Sequence, residues 1–150
     1  MDHGVRRGGV ADAAAVAELY LRARHASVPS VPPLVHDNDD VRQWFVDVVV
    51  AARELWVVED REAGVVGLLV LDGDRVDQLY VEPGLTGRGI GSALLEVAKR
   101  ERPTGLQLWT FQSNDGAQRF YRRHGFQEAE RTDGSGNEEG APDVRFVWRV

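Results

Sequence analysis

Cysteine is absent from the 150 residues, methionine occurs once and histidine four times. Without a thiol there is no disulfide, no thiolate nucleophile and no cysteine-held zinc or iron–sulfur centre. The histidines, His3, His25, His36 and His124, are scattered and follow no metal-ligand spacing, so no metal is expected. Positive charge is in deficit as well: 18 Lys and Arg against 24 Asp and Glu leave a formal charge of −6. Nucleic-acid binding needs clustered basic side chains, which argues against that partner. The same balance suits a cationic small molecule better. No apolar run approaches the ~20 residues of a membrane helix. The start, Met1-Asp2-His3-Gly4-Val5-Arg6-Arg7, has no apolar signal core. These absences lead us to expect one cytoplasmic globular domain over residues 1–150, a length that buries roughly 68–70% of the unfolded surface.

Hydrophobic spacing then sets out the elements. Val16, Leu19, Tyr20 and Ala23 predict a helix over Asp12–Ala26, which the proline-rich stretch Ser27–Pro33 breaks. The acids of Asp37–Asp40 suit a helix start, and Val41, Trp44, Phe45, Val48 and Val49 repeat the helical spacing after them. The period next changes to that of strands, at Leu55–Glu59, Val65–Leu71 and Arg75–Val81, with Asp72-Gly73 as a tight hairpin turn. A glycine-rich segment, Gly84–Gly91, leads into a helix with Ile90, Ala93, Leu94, Val97 and Ala98 on one face, and then into the strand Leu106–Phe111. Strand, helix and strand imply a parallel pair with a right-handed crossover. Ser113-Asn114-Asp115 caps a last helix that ends at Gly125. Phe126–Arg131 and Val144–Val150 read as a final strand pair around the polar loop Thr132–Pro142. The expected fold is α+β in three layers: a mixed, mostly antiparallel sheet with one βαβ unit and flanking helices.

The informative segment is Gly84-Leu85-Thr86-Gly87-Arg88-Gly89-Ile90-Gly91-Ser92, placed between a strand and a helix. Alternate glycines let backbone amides approach a ligand at a helix start, where the helix dipole favours an anion. Arg88 adds a positive charge and Ser92 a hydroxyl, so a pyrophosphate is the natural occupant. A P-loop would end in Gly-Lys-Ser/Thr, yet Ile90-Gly91 follows Gly89. The dinucleotide fingerprint Gly-x-Gly-x-x-Gly also fails, because Gly87, Gly89 and Gly91 are spaced by twos. A purely structural turn is the remaining alternative.

Val81-x-Pro83, Gly89-x-Gly91 and Leu94-Leu95 resemble the acyl-CoA motif of the GCN5-related N-acetyltransferase (GNAT) family. Thr86 stands where that motif usually has Arg or Gln. Asn114-x-x-Ala117-x-x-Phe120-Tyr121-x-x-x-Gly125-Phe126 resembles the family's second signature. The two motifs together cover about Leu79–Phe126.

The resemblance implies a direct attack of a substrate amine on the thioester of acetyl-CoA, through a ternary complex. It implies a bulged β-strand splayed from its parallel neighbour, with Leu79 and Val81 contacting pantetheine. Gly87, Arg88, Gly89, Gly91 and Ser92 would hold the pyrophosphate, and Asn114 would cap its helix and contact the cofactor. Tyr121 would protonate the departing thiolate. For the base, Trp109 stands where some relatives with peptide substrates carry a glutamate. Asp77 is the leading carboxylate, with Glu82, Glu138, Glu139, Asp143 and a water relay also open. The acceptor is a small-molecule or peptide amine, and the segment Val31–His36 is expected to shape its choice. A homodimer stays open, since many relatives dimerise while no coiled-coil seam is present. The contrasting reading is a noncatalytic acyl-CoA-binding module with the same cradle.

Overall fold

The computed structural model describes residues 4–150, so His3 lies outside the described residues. Strands β1 (Val5–Arg7), β2 (Glu54–Asp60), β3 (Gly64–Asp72), β4 (Arg75–Val81), β5 (Gly105–Phe111), β6 (Gln127–Thr132) and β7 (Asp143–Arg149) form one sheet, ordered β1-β2-β3-β4-β5-β7-β6. All neighbours are antiparallel except β4 and β5. Helices α1 (Ala13–Ala26), α2 (Asn38–Trp44), α3 (Ile90–Glu101) and α4 (Asp115–Arg123) cover the faces. The expected mixed three-layer fold is therefore observed. Strand β1 was not expected from the sequence, and α2 continues as a π-helical turn over Phe45–Val50. Among the described residues no helix is long and apolar enough to cross a membrane.

Each face of the sheet has its own core. Val16, Leu19 and Tyr20 of α1, with Val41, Phe45 and Val49 after the proline-rich loop, pack on Leu55, Val57, Leu68 and Val70. On the other face Leu94, Leu95 and Ala98 of α3 and Tyr121 of α4 meet Leu69, Leu71, Leu106, Leu108 and Phe146. Burying a side chain of this size stabilises by about 1.5–3 kcal/mol. Strand β3 feeds both cores because its residues alternate between the faces.

Helix α2 starts as its acids suggest, with the Asp37 side chain accepting from the Asp40 amide at 2.8 Å. The turn leading into α1 is held by Asp12, whose carboxylate accepts from the Gly9 amide at 2.9 Å and from Arg6 at 2.8 and 3.1 Å. Those bonds, led by Arg6, hold the Asp12 carboxyl below its usual range. Asp12→Ala should therefore lower the unfolding free energy by about 1–2 kcal/mol, read from urea denaturation at pH 7. A depressed carboxylate contributes above its unfolded pKa and stops contributing as pH falls through its folded one. The difference between variant and parent should accordingly shrink below about pH 4; equal midpoints at pH 7 would remove the assignment.

Candidate active site

The functional geometry begins where the sheet fails to close. Strands β4 and β5 are in register only at Arg75 and Gln107, where the Gln107 amide donates to the Asp74 carbonyl at 3.0 Å. Beyond that rung they diverge. A bulge in β4 accompanies the splay: Val70 faces Gln78 and Leu71 faces Val76, leaving Asp77 without an opposite residue. One extra residue reverses the side-chain alternation downstream. Val76 joins the α3-side core, and after the bulge Leu79 and Val81 also reach that side while Tyr80 packs towards α1. The resulting cleft, about 660 Å³, is lined by Leu79 and Val81 on one strand and by Trp109, Thr110 and Phe111 on the other.

At the end of β4 the chain turns through the glycine segment. The Glu82 amide bonds the Val66 carbonyl at 2.8 Å, which anchors the entry. Gly84, Gly87 and Gly89 then adopt φ of +91°, +78° and +87°, conformations that L side chains rarely take. A Cβ on Gly84 or Gly87 would meet nothing within 4 Å, so the space before this turn is open. The first intrahelical bond of α3 is from the Ala93 amide to the Gly89 carbonyl at 3.0 Å. The amides of Ile90, Gly91 and Ser92 precede it and have no helical acceptor, and the helix dipole adds positive potential there. A Cβ on Gly91 would sit 3.4 Å from the Phe120 ring, at van der Waals contact, so α3 passes close to α4 here. Open space, free amides and positive potential together are what binding a pyrophosphate would require.

Helix α4 supplies the other wall. The Asn114 side chain accepts from the Ala117 amide at 3.2 Å, fixing the start of the helix beside the cleft. Tyr121 is 8% exposed and lines the cleft between Phe120 and Phe126. Burial, with a smaller contribution from Tyr80, pushes its phenol well above the usual tyrosine range, so it keeps its proton at neutral pH. His124 lies 3.0 Å from the Ser92 hydroxyl through Nε2, while Lys99 donates to its carbonyl at 2.6 Å. Burial and Lys99 lower the His124 pKa, so a neutral imidazole faces Ser92.

The expected residues Leu79, Val81, Gly87, Gly91, Asn114, Asp77 and Tyr121 thus all line one cleft. Arg88, Gly89 and Ser92 belong to the turn and first helical turn at its mouth. Asp77, read from the sequence as the leading base, sits in an ion-pair network. It accepts from Arg53 through Oδ2 and pairs with Arg75 through Oδ1 at 3.3 Å.

Two neighbours escaped the sequence reading. Tyr80 lines the cleft and packs edge-on to Tyr20, with ring centroids 5.1 Å apart. Arg24 is buried at the end of α1, donating to the Tyr20 hydroxyl at 3.0 Å and to the Pro32 carbonyl at 3.1 Å. Only the alternation of Tyr80 between Leu79 and Val81 offered a signal. The α1–α2 loop is tied across the site, His36 to Glu138 at 2.9 Å and Ser113 to the Ser30 carbonyl at 2.6 Å.

A Salmonella typhimurium protein named peptidyl-lysine N-acetyltransferase YjaB is 34% identical over 79 residues, 53% of this chain and 54% of that protein. The Mycobacterium tuberculosis amino-acid acetyltransferase is 30% identical over 128 residues, covering 76% of this chain and 71% of the relative. The chain thus spans about half the length of the first relative and more of the second. A Sinorhizobium meliloti GNAT-superfamily phosphinothricin acetyltransferase, solved in complex with acetyl-CoA, superposes with a TM-score of 0.76 at 17% identity, over 100% of this chain and 89% of that one. The model of the acetyltransferase (GNAT) domain matches residues 51–128, which run from the end of the π-helical turn through both glycine motifs to the start of β6. With splay, bulge, cradle and that match in one stretch of sequence, the chain belongs to the GCN5-related N-acetyltransferase family.

Proposed function

We propose that this protein transfers the acetyl group of acetyl-CoA to a primary amine by direct attack within a ternary complex. The observation that carries the reading is the continuity of one cleft, from the parted β4 and β5 edges to the glycine turn before α3. Parted strands leave backbone donors and acceptors without a sheet partner, the chemistry that a pantetheine arm with two amides satisfies. The cradle amides and Arg88 supply positive potential for a pyrophosphate. Acetyl-CoA supplies the activated carbonyl when bound, as it is in the Sinorhizobium relative's structure.

The chain's own groups then have distinct work. In this reading the β4 edge orients the thioester end, and an amide beside the bulge is the donor for the negative charge that develops on the carbonyl oxygen. Tyr121, protonated and buried, donates to the departing sulfur. Asp77 has both oxygens engaged by guanidinium groups, and in this reading it fixes the bulge and positions β4. The amine loses its proton to water.

Calorimetric titration with acetyl-CoA, against adenosine diphosphate and a nicotinamide dinucleotide as controls, tests the assignment. A one-to-one complex selective for acetyl-CoA is expected. No heat at millimolar acetyl-CoA would return the glycines to a structural turn and remove the role of Tyr121 with them.

A further inference from the structure

A second cavity, about 610 Å³, adjoins the cleft at one stretch of β5: Trp109, Thr110 and Phe111 line both. The β6–β7 loop adds Asn137 and Glu139 to its wall, and the first residue of β7 adds Asp143. We propose that this cavity receives the non-reacting end of the acceptor, and that the acceptor is a flexible amine carrying a second positive charge, a linear diamine or polyamine. The inference rests on the acetyltransferase reading and deepens it.

The charges in the wall point to a cation. Asp143 is satisfied where the loop meets the strands, by the Thr132 hydroxyl and by the Asn137 side-chain amide at 3.1 Å. Glu139 is half-buried and forms no ion pair among the described residues. Burial, followed by the adjacent Glu138, raises its pKa, against the lowering influence of Arg24, of its own backbone amide and of His36. Arg75, the one cation in the lining, is already paired with Asp72 at 3.0 Å and Asp77 at 3.3 Å. Its Nε is covered and cannot reach a ligand. Trp109, 38% exposed, lines the same cavity, and an accessible indole favours ammonium groups through its π face.

The reacting amine cannot be the group Glu139 holds. Nucleophilic attack needs the neutral amine, and a carboxylate partner stabilises the ammonium form. Recognition at Glu139 therefore calls for a second nitrogen, separated by an alkyl spacer that reaches from the cavity to the junction at β5.

The test compares 1,4-diaminobutane with 1-aminobutane and with free glycine, following thiol release for KM and kcat. In parallel, calorimetry measures 1,4-diaminobutane binding to the protein saturated with CoA. We expect the diamine KM to lie at least tenfold below that of the monoamine. Glu139→Gln should erase that advantage, raising the diamine KM and Kd about tenfold while monoamine kcat and acetyl-CoA affinity stay within twofold. Trp109→Leu should move the same diamine parameters in the same direction. Equal KM values for diamine and monoamine would overturn the proposal, as would preference for glycine, which would make the cavity a carboxylate site. A fall in kcat for both amines in Glu139→Gln would also overturn it, because Glu139 would then move the proton. Failure of acetyl-CoA to bind would sink the parent reading instead, and diamine calorimetry on the unliganded protein would still decide the cavity.

Discussion

Valine in place of Gly89 should weaken acetyl-CoA binding about a hundredfold. Gly89 is the residue before α3 and sits at φ +87°, a region costing a non-glycine side chain about 1–3 kcal/mol and a β-branched one towards the upper end. The chain can relieve that strain by returning to negative φ. Doing so turns the Gly89 and Ile90 amides away from the cradle and unseats the first turn of the helix. A hundredfold loss corresponds to about 2.7 kcal/mol, within reach of that reorientation plus lost charge complementarity. Typical domains hold about 5–15 kcal/mol of stability, so the variant should still fold. Calorimetry with a thermal melt separates the two effects. An unchanged Kd in a folded variant would show that the turn does not carry the phosphates.

The second large effect concerns turnover. Tyr121→Phe should lower kcat by about 10²–10⁴-fold while acetyl-CoA affinity stays within twofold. Phenylalanine keeps the ring contacts with Phe126 at 5.6 Å and Phe146 at 6.4 Å between centroids, so the apolar core is retained. Only the hydroxyl is removed. The sign of its pKa shift adds a control: a phenol raised by burial stays protonated through the ordinary tyrosine range. The parent enzyme should therefore lose no activity to phenol ionisation as pH rises towards 10, measured as kcat at saturating amine. An unchanged kcat in the variant would make Tyr121 a packing residue. Absence of turnover in the parent with every amine, alongside tight acetyl-CoA binding, would favour an acyl-CoA-binding module.

Local signals carried much of this site. Gly87 and Gly89 take positive φ at the turn that the glycine run marked, because such a turn can be written only in a few residue types, while Gly91 falls in the first turn of α3. Asn114 shows its capping role because capping depends on residues three apart. Periodicity located α1 and α3, whose apolar stripes meet the sheet as the spacing implies. What could not be read depends on distant partners. Asp77 looks from its position like a free carboxylate facing the cleft, but Arg53, 24 positions earlier, closes on it. Arg24 reads as one more exposed helix arginine until Tyr20 and Pro32 are brought around it. Strand β1 is three residues long, too short for alternation to register. Glu139 could be ranked against Glu138 only once the fold turned one to His36 and left the other at the cavity.

The single rung joining β4 to β5 has a mechanical side. The sheet is in effect two panels, β1 to β4 and β5 to β7, hinged at Arg75 and Gln107 and braced by α3. Any molecule that hydrogen-bonds both open edges acts as a missing strand and stiffens the hinge. On the proposed function that molecule is acetyl-CoA, and at a hundred times its Kd mass action alone adds about 2.7 kcal/mol to the folded state. The protein's resistance to unfolding would then track the supply of acyl donor, so that a cell short of acetyl groups would also hold this chain in its loosest form.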